Sequence, residues 1–366
     1  MSEIRLTSLA HSYDSSPASA KDFALKEMNH VWEQGGAYAL LGPSGCGKST
    51  LLNIISGLLR PSHGKVYFDG EDVSNVGPEQ RNVAQVFQFP VVYDTMTVYQ
   101  NLAFPLKNLG QTKDSIDRRV REVSGALELD GVLSQKATNL TADEKQKVSM
   151  GRGLVREDVS AILLDEPLTV IDPNLKWKLR RQLKILHKQF NITMVLVTHD
   201  QLEASTFADK IALMYDGKIV QFGTPQELFE EPAHSFVGYF IGSPGMNFVD
   251  VSLREGHAEF DQVLVPIEAN LYQAALNTRT TNIKLGIRPE FVKLHSQRCQ
   301  GGLPVRVVDV VDLGAHKIVD VALGRQRIKV KVEEELRVSD EEVFITFPEQ
   351  RLKLYADDLL IRVEHS

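Results

Sequence analysis

The chain has 366 residues, 43% hydrophobic and 24% charged, the make-up of a globular protein with two or three domains and length for a sizeable core. A net charge of -7 argues against broad nucleic-acid binding, and two cysteines, Cys46 and Cys299, exclude a disulfide framework and fit a reducing compartment. No signal-peptide core opens the chain and no apolar run approaches the ~18 residues that span a bilayer, so a membrane role is expected only through partners.

In chain order, residues 1–36 read as short strands around a polar loop from Asp14 to Lys21. The apolar strand Tyr38–Leu41 then runs into Gly42-Pro-Ser-Gly-Cys-Gly-Lys-Ser49, a phosphate-binding loop of the form G-x-x-x-x-G-K-[ST]. An apolar helix from Thr50 to about Leu58 follows, which is the context the motif requires. The glycines let successive backbone N–H groups face one anion, and the helix N-terminus adds partial positive charge. Lys48 is expected to reach the β- and γ-phosphates of a nucleotide, and Ser49 to ligate Mg²⁺. Further on, Gly64–Gly70 alternates as a strand, and Val83–Phe87 reads as a short buried strand leading to Gln88. From about Phe89 to Glu157 the pattern is helical, with Ile116, Val120, Val123 and Leu127 on one face.

Ala161–Leu164 is a continuous apolar strand of the parallel-sheet kind and ends in Asp165-Glu166. Asp165 is expected beside the Mg²⁺, and Glu166 is placed to take a proton from an attacking water. Asp172-Pro173 reads as an N-cap with proline at the first helical position. The next buried strand, Ile192–Val197, leads to His199, a candidate for orienting the γ-phosphate and the water. Asp216-Gly217 marks a hairpin. After a hinge at Phe240–Gly245 the texture turns β-rich, as in Val305–Val311 and Arg327–Val332, which predicts a small barrel or sandwich.

The order of these motifs, namely the phosphate loop, Gln88, Leu164-Asp165-Glu166-Pro167, Thr169–Asp172 and His199, resembles the ATPase subunits of ABC transporters. Ser243–Phe248 and Gly286–Glu290 resemble the C-terminal regions of the maltose-importer class, which takes up sugars and glycerol phosphate. The resemblance implies an α/β fold: a phosphate-loop NTPase core with a helical insertion, plus a C-terminal β-rich OB-type domain. The expected limits are 1–242, with the helical part at about 89–158, and 243–366. ATP and Mg²⁺ are the implied cofactors. Tyr13 would lie under the adenine, and Gly42, Ser44, Gly45, Cys46, Gly47, Lys48, Ser49 and Thr50 would hold phosphates and Mg²⁺. Gln88 would contact metal and γ-phosphate, Asp172 would communicate across a dimer, and Glu166 and His199 would be catalytic. Two membrane permease subunits, a second ATPase subunit and an extracytoplasmic solute-binding protein are the implied partners, with no nucleic acid. The place implied is the cytoplasmic face of the inner membrane.

One motif departs from the family. Its Leu-Ser-Gly-Gly-Gln signature, which grips the ATP of the opposite subunit, is here Leu140-Thr-Ala-Asp-Glu144. The register is fixed by Gly151–Val155 downstream. Thr141 and Glu144 form a capping-box pair, Ala142 and Asp143 replace the glycines, and Asp143 brings negative charge toward a phosphate. Like charges ~4 Å apart cost about 1 kcal/mol in water and about 4 at an intermediate dielectric. Lys145 and Lys147 would offset this if turned inward. A homodimer would carry the defect at both sites and a heterodimer at one, which favours a heterodimer. The leading expectation is an importer ATPase for a carbohydrate, polyol, glycerol or glycerol phosphate. A soluble ATPase acting on nucleic acid or translation is the competing reading, and a nucleotide-binding regulator with little turnover is a third.

Overall fold

A computed structural model describes residues 2–157, 159–169, 171–336 and 343–363. The chain forms two compact units, Met1–Pro225 and Gln226–Ser366.

The first unit opens with β1 (Ile4–Ser12), β2 (Phe23–Trp32) and β3 (Ala37–Leu41), followed by α1 (Lys48–Ser56). Then come β4 (His63–Phe68), β5 (Glu71–Asp72), α2 (Pro78–Arg81) and β6 (Val83–Val86). The helical stretch holds α3 (Val98–Asn108), α4 (Lys113–Leu127) and α5 (Ala142–Leu154). β7 (Ala161–Asp165), α6 (Pro173–Phe190), β8 (Met194–Thr198), α7 (Gln201–Phe207), β9 (Lys210–Tyr215) and β10 (Lys218–Gly223) complete it. Two sheets result, one antiparallel in the order β2-β1-β4-β5 and one in the order β10-β9-β3-β8-β7-β6. In the second, β9, β3, β8, β7 and β6 run parallel. β3 and β8 are buried along their whole length, which explains their unbroken apolar sequences. The Asp216-Gly217 hairpin joins β9 to β10, with Tyr215 opposite Lys218.

Ile116, Val120, Val123 and Leu127 are all buried on α4, as their spacing predicts. The helical stretch is made of three helices, and an isolated bridge pairs Thr97 with Lys136. Asp158, the expected far limit of that stretch, lies outside the described residues, as does Val170 in the Thr169–Asp172 loop.

The second unit contains α8 (Pro225–Glu230) from Gln226 on, and α9 (Ser235–Phe240). One sheet joins β11 (Asn247–Arg254), β12 (His257–Phe260), β13 (Val263–Pro266) and β14 (Ile283–Ile287) with β20 (Lys353–Ala356) and β21 (Leu359–Leu360). The other joins β15 (Lys293–His295), β16 (Leu303–Asp312), β17 (His316–Leu323), β18 (Gln326–Glu333) and β19 (Val343–Thr346). A helix absent from the sequence reading, α10 (Ala269–Leu276), packs Leu271 and Ala275 into this unit's own core. Arg288 is buried and donates to the carbonyls of Leu228, Phe229, Gly238 and Ile241. It thereby binds α8 and α9 to the β-rich part, which is why the unit begins before the 240–245 hinge.

Candidate nucleotide site

Neighbouring parallel strands bring their carboxyl ends to one edge of the sheet. Leu41, the last residue of β3, lies opposite Thr198 of β8. Val197 of β8 lies opposite Asp165 of β7, and Leu164 lies opposite Val86 of β6. The residues that follow those ends therefore share one edge: the 42–49 loop, His199, Glu166 and Gln88. This is where open α/β sheets take their ligands.

The loop is packed so tightly that two of its glycines are obligatory. A Cβ on Gly42 would lie 2.4 Å from the Met214 carbonyl, and one on Gly47 would lie 2.7 Å from that of Ala24. Gly47, at φ +100, caps α1, which begins at Lys48 rather than at Thr50. The backbone N–H groups of the first turn are therefore presented by Lys48, Ser49 and Thr50 themselves. Lys48 is 5% exposed and its Nζ donates to the Gly42 and Pro43 carbonyls, each at 2.9 Å. An ammonium has three N–H groups, so one remains beyond those two bonds, with the side chain folded along the loop.

Beside it, burial pushes the Asp165 carboxyl up from its ordinary range, the Glu166 charge adds to this, and the Lys48 ammonium opposes it. Glu166 sits at φ +43, an uncommon conformation for a residue with a Cβ, with its N–H bonded to the Val197 carbonyl at 3.0 Å. Its Oε2 lies 3.2 Å from Nδ1 of His199. A carboxylate oxygen accepts, so Nδ1 is the ring nitrogen placed to donate toward Glu166. Tyr13 is 67% exposed, with its hydroxyl 3.1 Å from Thr50 Oγ1 and its ring edge-on to His11 at 4.7 Å. An exposed ring thus stands beside the first turn of α1.

Oxygen donors of mixed type, the Ser49 hydroxyl, the Asp165 carboxylate and the Gln88 amide, suit a hard cation that keeps several waters and phosphate oxygens. Asp165, half-buried and the one ionisable group among the three, has the upward shift that a bound divalent cation would reverse. Among the described residues no group of three or more His, Cys, Asp or Glu side chains could hold a metal ion.

The stretch at 140–144 forms the expected cap. Thr141 Oγ1 accepts from the Glu144 N–H at 3.2 Å, and Glu144 accepts from the Thr141 N–H at 2.9 Å. Asp143 Oδ2 lies 3.5 Å from Lys147 Nζ, while its Oδ1 is buried with no hydrogen-bond partner. Lys145 turns away to Asp94 at 3.0 Å, so Lys147 alone of the two offsets Asp143. Asp172 is exposed, and its carbonyl accepts from Leu175 and Lys176 as α6 begins.

Two features escaped the sequence reading. A cleft of about 730 Å³ lies between the β6 end and the helical stretch, lined by Phe87, Val91, Phe104 and Pro105. Phe87, Phe89 and Val91 are exposed in and beside it, and the apolar run around Gln88 was the available signal. The second is the buried carboxylate of Glu203, bonded to Thr198 at 2.7 Å. It was masked by its place in what reads as an exposed first helical turn.

A phosphate loop, a carboxylate pair and a histidine on one parallel-sheet edge, with a helical region beside them, define an ATP-binding cassette ATPase. The ABC transporter family profile matches residues 25–169, that of the MalK OB fold domain 242–292, and that of the TOBE domain 285–354. The chain is 36% identical to the sn-glycerol-3-phosphate import ATP-binding protein UgpC of Salmonella typhimurium over 97% of this chain and 98% of that protein. It is 36% identical to UgpC of Escherichia coli O157:H7 over the same shares. Among solved structures it is similar to cbiO1 of Clostridium perfringens, part of the ABC transporter complex cbiONQ (TM-score 0.57, 27% identity, 63% of this chain and 91% of that one). The dimeric ATP-binding cassette MJ0796 bound to ADP and Pi is similar as well (TM-score 0.54, 27% identity, 60% and 98%).

The chain belongs to the ATP-binding subunits of ABC importers, and its work is ATP hydrolysis coupled to import. The expected fold class holds, with one refinement: the C-terminal β-rich part carries an OB and a TOBE module rather than one OB-type domain. No described helix is long and apolar enough to cross a membrane.

Proposed function

We propose that this subunit powers uptake of glycerol 3-phosphate or a closely related polyol, working at the cytoplasmic face of the membrane with two permease subunits and an extracytoplasmic binding protein. Full-length similarity to proteins named for sn-glycerol-3-phosphate import carries the solute reading. The apolar cleft beside Gln88 supports permease docking, since it joins the nucleotide edge to the helical region.

Within the site, Tyr13 receives the adenine and the 42–50 loop receives the phosphates. Ser49, Asp165 and Gln88 would hold Mg²⁺, which supplies charge neutralisation to the phosphates when bound. Glu166 accepts the proton of the attacking water. His199, with Nδ1 held 3.2 Å from Glu166 Oε2, presents Nε2 toward the phosphate side. Asp172 faces the second ATPase subunit. Replacing Glu166 with Gln in the assembled transporter is expected to keep ATP binding and slow single-turnover cleavage at this site by at least ~100-fold, within the usual worth of a general base. Unchanged cleavage would remove Glu166 from that role. For the solute, cells making the complex should accumulate labelled sn-glycerol 3-phosphate; uptake of glycerol alone would transfer the assignment.

The second ATPase subunit is a different chain with an intact signature. Supporting this, Ala142 and Asp143 stand where the family has glycines, and one Asp143 oxygen is buried without a partner. Mass determination of the purified complex decides: two copies of this chain at full turnover would refute it.

A further inference from the structure

Glu203 carries an ionisable side chain, is only 4% exposed, and has no part in the site just described. Asp200-Gln-Leu-Glu203 has the form of a capping box, in which Glu203 would reach back to the Asp200 N–H. It does not. Asp200 caps the Leu202 and Glu203 N–H groups at 2.7 and 3.2 Å, but its own N–H goes to Thr198 Oγ1 at 3.0 Å. That hydroxyl donates its proton to Glu203 Oε2 at 2.7 Å. Glu203 Oε1 in turn faces Lys176 Nζ at 3.5 Å. Lys176 lies in the first turn of α6, and its N–H bonds the Asp172 carbonyl at 3.0 Å. A continuous series of bonds thus runs from Asp172 through Lys176, Glu203 and Thr198 to Asp200, and the last two enclose His199.

We infer that Glu203 is a positioning residue for His199 and ties its placement to the loop carrying Asp172. A hydroxyl rotates freely unless its proton is claimed. Glu203 claims the Thr198 proton, which turns a lone pair to the Asp200 N–H and fixes the backbone on both sides of His199. Lys176 holds the carboxylate from α6, so displacement of the Asp172 loop reaches His199 through side chains whose geometry is set by burial. The inference rests on the reading of His199 as a participant in cleavage.

The test is a double-mutant cycle in the assembled transporter, with single-turnover cleavage and nucleotide affinity measured separately. Thr198→Val keeps the shape of this buried side chain and removes both bonds. It should slow cleavage about tenfold, the rate equivalent of one buried charge-assisted bond, with ATP affinity unchanged. Glu203→Ala removes the acceptor and should slow cleavage by a similar factor, whereas Glu203→Gln keeps an acceptor for the Thr198 proton and should retain most of the native rate. In a His199→Ala background, Thr198→Val should cost nothing further. Equal slowing in both backgrounds would make the threonine merely structural, and no slowing in the native background would overturn the inference. If His199→Ala itself leaves cleavage unchanged, the role of the histidine fails first, a separate result from either.

Discussion

At the scale of single residues, desolvation lowers the pKa of several imidazoles. His30 is the clearest: its ring lies 4.4 Å from those of both Trp32 and Phe222, and its Nε2 has no hydrogen-bond partner. Burial pushes its pKa down from 6.5 to about 4. The sign follows directly. The unfolded chain binds the proton more readily, so the contribution of neutral His30 is complete above pH 6.5 and is lost as pH falls toward 4. The loss is on the order of 3 kcal/mol at most. Replacing His30 with Phe keeps the aromatic contacts and removes the titration. Unfolding curves at pH 7.5 and pH 5 should therefore lie closer together for that variant than for the parent. Burial lowers His11 and His187 as well, so some acid sensitivity will remain. An equal spread in both proteins would show that His30 is not the group concerned.

At the scale of elements, legibility followed how local the determining interactions are. The phosphate loop was readable because its chemistry and its strand–loop–helix setting lie within one stretch of chain. The strands ending at Asp165 and Thr198 were readable because a strand buried on both faces needs an unbroken apolar sequence. What could not be read was Glu203, whose burial depends on α6 packing against α7, and α10, which lies between strands of a β-rich unit. The α5 N-terminus falls between these cases. Its cap was legible, but Lys145 pairing with Asp94 was not, since that contact spans distant segments. Restoring Ser-Gly-Gly-Gln at 141–144 would retain a capping-box pair, because Ser and Gln serve as well as Thr and Glu. The discriminating positions are therefore Ala142 and Asp143, a Cβ and a charge at the turn where phosphate must approach amides. The restored chain should raise ATP-dependent closure at the partner's site and leave affinity at its own site unchanged. ATP occupancy of each site, compared before and after, is the measurement. An unchanged partner site would show that Thr141 and its neighbouring amides suffice.

At the scale of the whole molecule, the question is where the nucleotide-binding unit can be cut free. The sequence suggests the Phe240–Gly245 hinge, while the compact units divide at Pro225. The apolar core of the first unit draws on residues from Ile4 to Met214, with Ile219 and Phe222 packed against it, and every candidate nucleotide residue precedes its end. The 226–242 segment has other obligations. Leu228 and Val237 are buried, and the carbonyls of Leu228, Phe229, Gly238 and Ile241 are met by the Arg288 guanidinium. That guanidinium also lies 3.9 Å from the Phe229 ring, and its burial draws its pKa down to about 10. A chain ending at 242 keeps α8 and α9 but loses Arg288, so it exposes apolar side chains that have lost their cover. A chain ending at 225 loses neither partner of any of these bonds, because it contains neither. We expect the 1–225 chain to bind a labelled ATP analogue as tightly as the full chain and to remain monodisperse. The 1–242 chain should bind comparably but aggregate sooner, as measured by light scattering on warming. If the shorter chain binds no nucleotide while the longer one does, α8 and α9 belong to the nucleotide-binding unit, and the boundary moves to the hinge.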